Sequence, residues 1–288
     1  MDEGQQGFSR PLSARSPARL AFARAVQGPD AAIDPVRAAL LLALEDDQDA
    51  ALEPSLQQIE RLTAGIPAET ALGTPMRQLE ALTGHLAVVH GFRGNEDSYY
   101  DPRNSLLTWV LASHAGIPIT LALVYMAVGQ RRGIPLLPIG LPGHMVLRHA
   151  EEPDAYIDPF TGVASSEHHC LERVLGREGL LGVPDESLEP MEGRPLLLRL
   201  LNNLKGAYLR GTPPSLEGAL GASERILLLY PDTPDELRDR GLLNLKVGRP
   251  VAALRDLERY IGLVPGNSEA MRMRAQVDRL HRQVSRLN

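Results

Sequence analysis

The sequence predicts an α+β fold: a helical lead-in, a short mixed segment that contains strands, and a C-terminal run of helical repeats. Three observations carry this. Apolar residues recur at three- and four-residue spacing from Pro17 to about Gly94, and the chain is helical again from Pro195 onward. Between them, residues 137–160 hold short segments in which apolar and polar side chains alternate, the period of a strand. Finally, Tyr230-Pro231 and Val264-Pro265 stand 34 residues apart, and each opens a new helical stretch.

Length and composition fit that outline. A chain of 288 residues makes one large or two ordinary domains, and 43% apolar residues supply ample core. Net charge is −6 with a pI near 5.8, which argues against a nucleic-acid partner, since such binders cluster excess Lys and Arg. One cysteine, Cys170, excludes an intrachain disulfide, and no segment reads as a secretory signal, so the expected location is cytoplasmic. The longest apolar run, 116–129, falls well short of the roughly 20 residues of a spanning helix, so no membrane partner is expected.

Taken in order, residues 1–16 are rich in Gly, Ser, Gln, Pro and Arg and read as a disordered leader. Four helical segments follow: ARLAFARAV, PVRAALLLALEDD, PSLQQIERLTAGI and PMRQLEALTGHLAVVHGF. Asp34 and Glu53-Pro54 are their start signals, and Gly65 and Gly94 their stops. Ser105–His114 reads as a short helix closed by Gly116. Pro118 opens the next, PITLALVYMAVGQRR, which Gly133 ends. It is apolar on nearly every side, and such a helix belongs in the centre of a core. LPIGLPGHMVLRH and AYIDPF, split by AEEPD, read as a β-hairpin. The domains expected are a lead-in plus core over 17–190 and repeats over 195–288.

The 34-residue spacing is that of the tetratricopeptide repeat, a helix–turn–helix unit. Within 232–265, Gly241, Gly248, Ala253, Leu257 and Pro265 fit its pattern, while Arg240, Asn244 and Tyr260 depart from it. The preceding unit, 198–231, keeps Ala219 and Pro231, and a closing helix is expected over about 268–286.

A turn centred on Glu151 pairs positions that sum to 302: Met145 with Ile157, Leu147 with Ala155, and His144 with Asp158. Met145, Leu147, Ala155 and Ile157 then share one face, and His144, Val146, Arg148, Tyr156 and Asp158 the other. An imidazole and a carboxylate so placed have Cβ atoms about 4.5–5.5 Å apart. That pair is the orienting half of a nucleophile–base–orienter triad, or a buried pair that fixes the hairpin.

The run from Asp101 to Asp158, DPRNSLLTWVLASHAGIPITLALVYMAVGQRRGIPLLPIGLPGHMVLRH and then YIDPFTG, resembles the transglutaminase-like core of bacterial SirB-type proteins, a family that also carries tetratricopeptide-like repeats. The resemblance implies a papain-like α+β core with a cysteine at the start of a central helix and a histidine and aspartate on adjacent strands. His144 and Asp158 take the last two places. The cysteine's place, two residues after Gly116, is held by Pro118, which suits a first helical turn and has no nucleophile. Free N–H groups at that helix start, with a charged His144, would suit an anion.

Other candidates are weaker. Thr120 and Ser105 are the nearest hydroxyls by sequence, and both read as helix caps. Cys170 reads as a small apolar helix residue. His168-His169-Cys170 lacks the spacing of a zinc site, so neither metal nor cofactor is expected. His85, His90, His114 and His281 are scattered, and Trp109 reads as core. Two functions follow. The first is a non-catalytic or degenerate transglutaminase-like protein that acts in interaction or regulation and binds a protein or peptide through its repeats. The alternative is a hydrolase or acyl transferase that uses His144–Asp158 with a hydroxyl or water nucleophile.

Overall fold

Proline opens the first helices where a missing N–H costs nothing: α1 spans Pro17–Ala25 and α2 spans Pro35–Asp46, with Asp34 accepting from the Arg37 amide at 3.0 Å. The structure, a computed structural model, describes residues 16–47, 51–180 and 188–285. Apart from Ser16, the expected leader lies outside the described residues. Pro17–Leu200 form one compact unit, and the chain from Leu201 onward forms another.

In the first unit Arg19 of α1 meets Glu45 of α2 in a buried ion pair, with Nε 2.9 and 2.7 Å from the two carboxylate oxygens. Helix α3, Leu52–Ala64, has Pro54 in its first turn and stops at Gly65. The His85 ring packs there so closely that a Cβ on Gly65 would lie 2.4 Å from it. Helix α4, Pro75–Thr83, runs on as a π-helical turn over Gly84–Val89 and ends before Gly91, whose φ is +72°. The stop thus falls earlier than Gly94. Instead, β1 (Arg93–Gly94) pairs in parallel with β2 (Ala115–Gly116).

Helix α5, Leu107–Ser113, is closed by His114 and not by Gly116. His114 takes the left-handed conformation, φ 58°, which is uncommon for a residue with a side chain. Its ring offsets that cost by bonding the His90 carbonyl through Nδ1 and stacking on Phe92 at 4.4 Å. Helix α6, Pro118–Arg131, is buried along most of its length, as its composition requires, and Gly133 follows it with φ 70°. Helices α2, α3 and α5 pack on it, as do β3 (Leu136–Leu141) and β4 (His144–His149).

The expected hairpin is part of a four-stranded antiparallel sheet, in the order β3, β4, β5 (Glu152–Asp158), β6 (Val163–Ser165). LPIGLPGHMVLRH is two strands, split by a two-residue turn at Pro142-Gly143 in which Gly143 supplies φ +69°. The register also differs from expectation. Leu147 faces Ile157 and Arg148 faces Tyr156, a shift of two residues, because a bulge lies between Arg148 and His149. Buried His149 holds that bulge: Nδ1 accepts from the Glu151 amide at 3.1 Å, and Nε2 donates to Gln78 Oε1 at 2.8 Å. Burial lowers its pKa, which suits this neutral form. A slip of two preserves alternation, so both faces keep the expected residues. The side bearing Val146 and Tyr156 is covered by Cys170 and Leu171 of α7, Glu167–Leu180.

Helix α8, Gly193–Arg210, leads into the second unit, where α9 (Leu216–Leu229), α10 (Pro234–Lys246), α11 (Pro250–Leu263) and α12 (Ser268–Val284) follow. Helices α10 and α11 form the expected hairpin, with Gly248 in its turn at φ +76°. The departures from the repeat pattern have local reasons. Arg240 and Asn244 both donate to buried Asp256, at 2.8 and 3.3 Å, and Tyr260 fills a core with Leu227, Leu237 and Ala270. Gly241 lies against α11, where a Cβ would stand 2.7 Å from Leu257. Gly241→Leu is therefore expected to overpack this contact and destabilise the protein by about 1–3 kcal/mol in urea unfolding.

Candidate functional site

His144 opens β4 directly after the Gly143 turn, and Asp158 closes β5. Continuing the observed register sets Asp158 beside Val146, so the histidine and aspartate share a face diagonally and not directly opposite. Their side chains still meet: His144 Nε2 lies 2.9 Å from Asp158 Oδ1. The local sequence D-P-F-T-G builds the rest. Pro159 ends the strand, the Phe160 amide turns back to Asp158 Oδ1 at 3.0 Å, and the Thr161 hydroxyl donates to Oδ2 at 2.8 Å. Arg173 of α7 in turn donates to Thr161 Oγ1 at 2.7 Å.

Burial pushes the Asp158 carboxyl up, but the hydrogen bonds from His144, Thr161 and the Phe160 amide outweigh it and hold the group below the usual carboxylate range. Because Nε2 faces a carboxylate, it carries the proton of the neutral ring and leaves the lone pair on Nδ1. Nδ1 makes no hydrogen bond among the described residues, and the His144 side chain is 17% exposed. The arrangement can present a base, oriented from behind.

No bond brings the other predicted residues to this base. Pro118 and Thr120 lie buried at the start of α6. Thr120 Oγ1 accepts from the Ile117 amide at 3.2 Å and lies 2.8 and 3.0 Å from the carbonyls of Asn104 and Ile117. Its one proton is committed to this cap. Ser105 is buried nearby. Cys170 sits in the apolar layer under the sheet, and burial pushes its thiol up to about 12. His168 and His169 lie exposed on α7, and among the described residues no group of three His, Cys, Asp or Glu could hold a metal ion.

Two expectations need correction. Trp109 is not core: it is 37% exposed and carries the Arg103 guanidinium 4.5 Å above its ring. His85, His90 and His114 are not scattered but gathered, with successive ring centroids 4.5 and 6.4 Å apart.

Sequence reasoning missed three residues around the pair. The Phe160 ring stands 5.8 Å from that of His144, and on its other side it touches Gly94, where a Cβ would lie 2.3 Å away. Tyr99 packs edge-on to Phe160 at 6.2 Å. From α8, Arg199 Nη2 donates to the carbonyls of Leu141 and His144, both at 2.5 Å, and clasps the turn that displays the histidine. Gly140 was the available signal: a glycine inside a strand marks close approach, and a Cβ here would stand 2.8 Å from Arg199 Nη1. A cavity of about 420 Å³, lined by Asp34, Met126, Ile134 and Glu151 among others, includes neither His144 nor Asp158.

Since Asp158 has a lower pKa folded than unfolded, its contribution is present at neutral pH and lost as pH falls through the folded value. Asp158→Asn is expected to cost about 1–3 kcal/mol at neutral pH. Urea titrations at successively lower pH should show the variant losing less stability on acidification than the parent.

Comparison with known proteins follows the same lines. The profile of the transglutaminase-like superfamily matches residues 51–202, and that of the tetratricopeptide repeat matches residues 204–278. A UPF0162 protein of Xylella fastidiosa (strain Temecula1) is 37% identical over 238 residues, 79% of this chain and 83% of that protein. The UPF0162 protein YchA of Escherichia coli K12 is 29% identical over 77% of this chain and 84% of its own. SirB1 of Salmonella typhimurium is 28% identical, over 79% and 86%. No solved structure matches the chain. With a profile match over more than half its length and relatives aligned across most of theirs, the chain belongs to the transglutaminase-like superfamily, in the group that holds the UPF0162 proteins and SirB1.

Proposed function

We propose that this chain is a degenerate, non-catalytic transglutaminase-like protein that acts in the cytoplasm through protein interaction or regulation. The Thr120 cap carries the reading. At the helix start where the superfamily resemblance puts a nucleophile, Pro118 has none, and the adjacent hydroxyl proton is bonded to backbone carbonyls. The helical repeats supply the extended surface that a protein or peptide partner would use. Neither nucleic acid nor membrane is a partner in this reading, given the net charge of −6 and the lack, among the described residues, of a helix long and apolar enough to cross a membrane.

One observation favours a second reading. His144 Nδ1 makes no hydrogen bond among the described residues while Nε2 is oriented by Asp158, which is the disposition of a general base for water or a hydroxyl in a hydrolase or acyl transferase. Assays of the full chain on activated esters, glutamine-type amides and amine acceptors separate the two. Wild type and His144→Ala are expected to match the buffer rate; turnover that His144→Ala reduces by roughly 100-fold or more would establish the enzyme and end the non-catalytic reading.

In the proposed site, Pro118 occupies the nucleophile's place facing His144. Pro118→Cys tests that ancestry. The new thiol is expected to alkylate faster than Cys170 and to lose that advantage when His144→Ala is added. A thiol as slow as Cys170, or one indifferent to His144, would remove Pro118 from the site.

A further inference from the structure

Some guanidinium groups withdrawn from water in this protein meet carboxylates, as Arg19 meets Glu45 and Arg240 meets Asp256, whereas half-buried Arg132 and Arg148 donate to the backbone carbonyls of Thr63 and Leu188. Arg199 is half-buried and meets none among the described residues. Its Nη2 is spent on the Leu141 and His144 carbonyls, whereas Nε and Nη1 make no hydrogen bond among the described residues. Taking a charge out of water without a counter-charge is costly, and two carbonyl dipoles supply only part of the compensation. Tyr99 lies near enough for its phenol and this guanidinium to interact electrostatically, and Arg199 itself is bonded to the carbonyl of His144 at the end of the ring row. Burial raises the Tyr99 pKa, so the phenol stays neutral and cannot serve as the missing anion.

Tyr99 also belongs to a row of rings. Tyr100, which is 59% exposed, stands 5.3 Å from Tyr99, Tyr99 stands 6.2 Å from Phe160, and Phe160 stands 5.8 Å from His144. All three contacts are edge-to-face, which fixes the rings relative to one another. The row ends at the imidazole whose Nδ1 has no hydrogen-bond partner among the described residues.

We propose that Arg199, Tyr99, Tyr100 and Phe160 form, beside His144, a binding site for the C-terminal carboxylate and apolar side chains of a peptide. A cation with no counter-ion among the described residues calls for an anion, and the rings beside it call for apolar or aromatic groups on the same ligand. A peptide C-terminus supplies both. Inorganic phosphate supplies only the charge and gains nothing from the rings. The site rests on the reading of this face as one that binds without turnover, and the two can fail separately.

The test uses the full chain and two probes, acetyl-Ala-Ala-Phe with a free carboxylate and the same peptide as its C-terminal amide. Side-chain NMR of His144, Tyr99 and Arg199 follows the titration. The acid is expected to shift these resonances and to bind at least tenfold tighter than the amide. Arg199→Gln should erase that preference, Arg199→Lys should retain part of it, and Tyr99→Ala should weaken both probes while keeping their ratio. If Arg199→Gln does not fold, because it also loses the turn clasp, the lysine and Tyr99 variants still decide. Equal binding of acid and amide, a preference that survives Arg199→Gln, shifts confined to other residues, or displacement by equimolar inorganic phosphate would each overturn the site. Hydrolysis of the bound probe would instead defeat the non-catalytic reading and leave the site standing.

Discussion

A fourteen-residue helix without a polar face is stable in water only where something covers every side of it. Helix α6 imposes that condition on residues 17–200, and α2, α3, α5 and the sheet strands β3 and β4 meet it. Enclosure has a second consequence at the helix ends, where unpaired backbone groups must find partners inside the protein. At the C-terminal end the Gly129 carbonyl takes the amides of Arg132 and Ile134. At the N-terminal end Thr120 spans the Ile117 amide and the Asn104 carbonyl, and Asn104 itself is tied to the carbonyls of Ser98 and Tyr99. The hydroxyl nearest the start of α6 is thereby closed into the cap that lets the helix begin there.

The carboxylate partner of His144 has other donors as well. Asp158 accepts from a backbone amide two residues on and from the Thr161 hydroxyl, and both bonds follow from the turn that Pro159 and Gly162 impose. The histidine is one of three donors, so the pair persists as architecture whether or not a proton is ever moved. That is why the geometry of the pair alone does not license an activity.

What was legible in the sequence was what short-range periodicity determines. The apolar perimeter of α6, the proline and aspartate starts of the lead-in, and the Gly248 turn of the repeat hairpin all follow from spacing within a few residues. The strand faces were legible too, because alternation survives any even slip. The register was not: it depends on a bulge whose cause, the bond between His149 and Gln78, joins residues 71 apart in sequence. Trp109 reads as core by periodicity, yet Arg103, six residues earlier, covers it at the surface. His85, His90 and His114 look scattered because their meeting depends on a π-helical turn and a left-handed residue, neither of which has a periodic signature. Arg199 lies 55 residues from the carbonyl of the histidine it positions, and Gly140 alone hinted at its approach.

Arg199 also sets how any ligand of this face must be recognised. A guanidinium has five N–H groups, and both hydrogens of Nη2 serve the turn carbonyls. The planar two-point fork that makes arginine–carboxylate pairs strong needs Nη2, so it is not available to an incoming carboxylate. What remains is single donors on a charge that two carbonyl dipoles already partly neutralise, in a chain with 36 acidic and 30 basic side chains. Charge alone therefore gives weak and salt-sensitive attraction here. Discrimination between ligands of equal charge has to come from the rings of Tyr99, Tyr100 and Phe160, whose contacts depend on shape and are not screened. A cation that orients and an aromatic row that selects divide the work of recognition, and both stand beside His144, whose Nδ1 makes no hydrogen bond among the described residues.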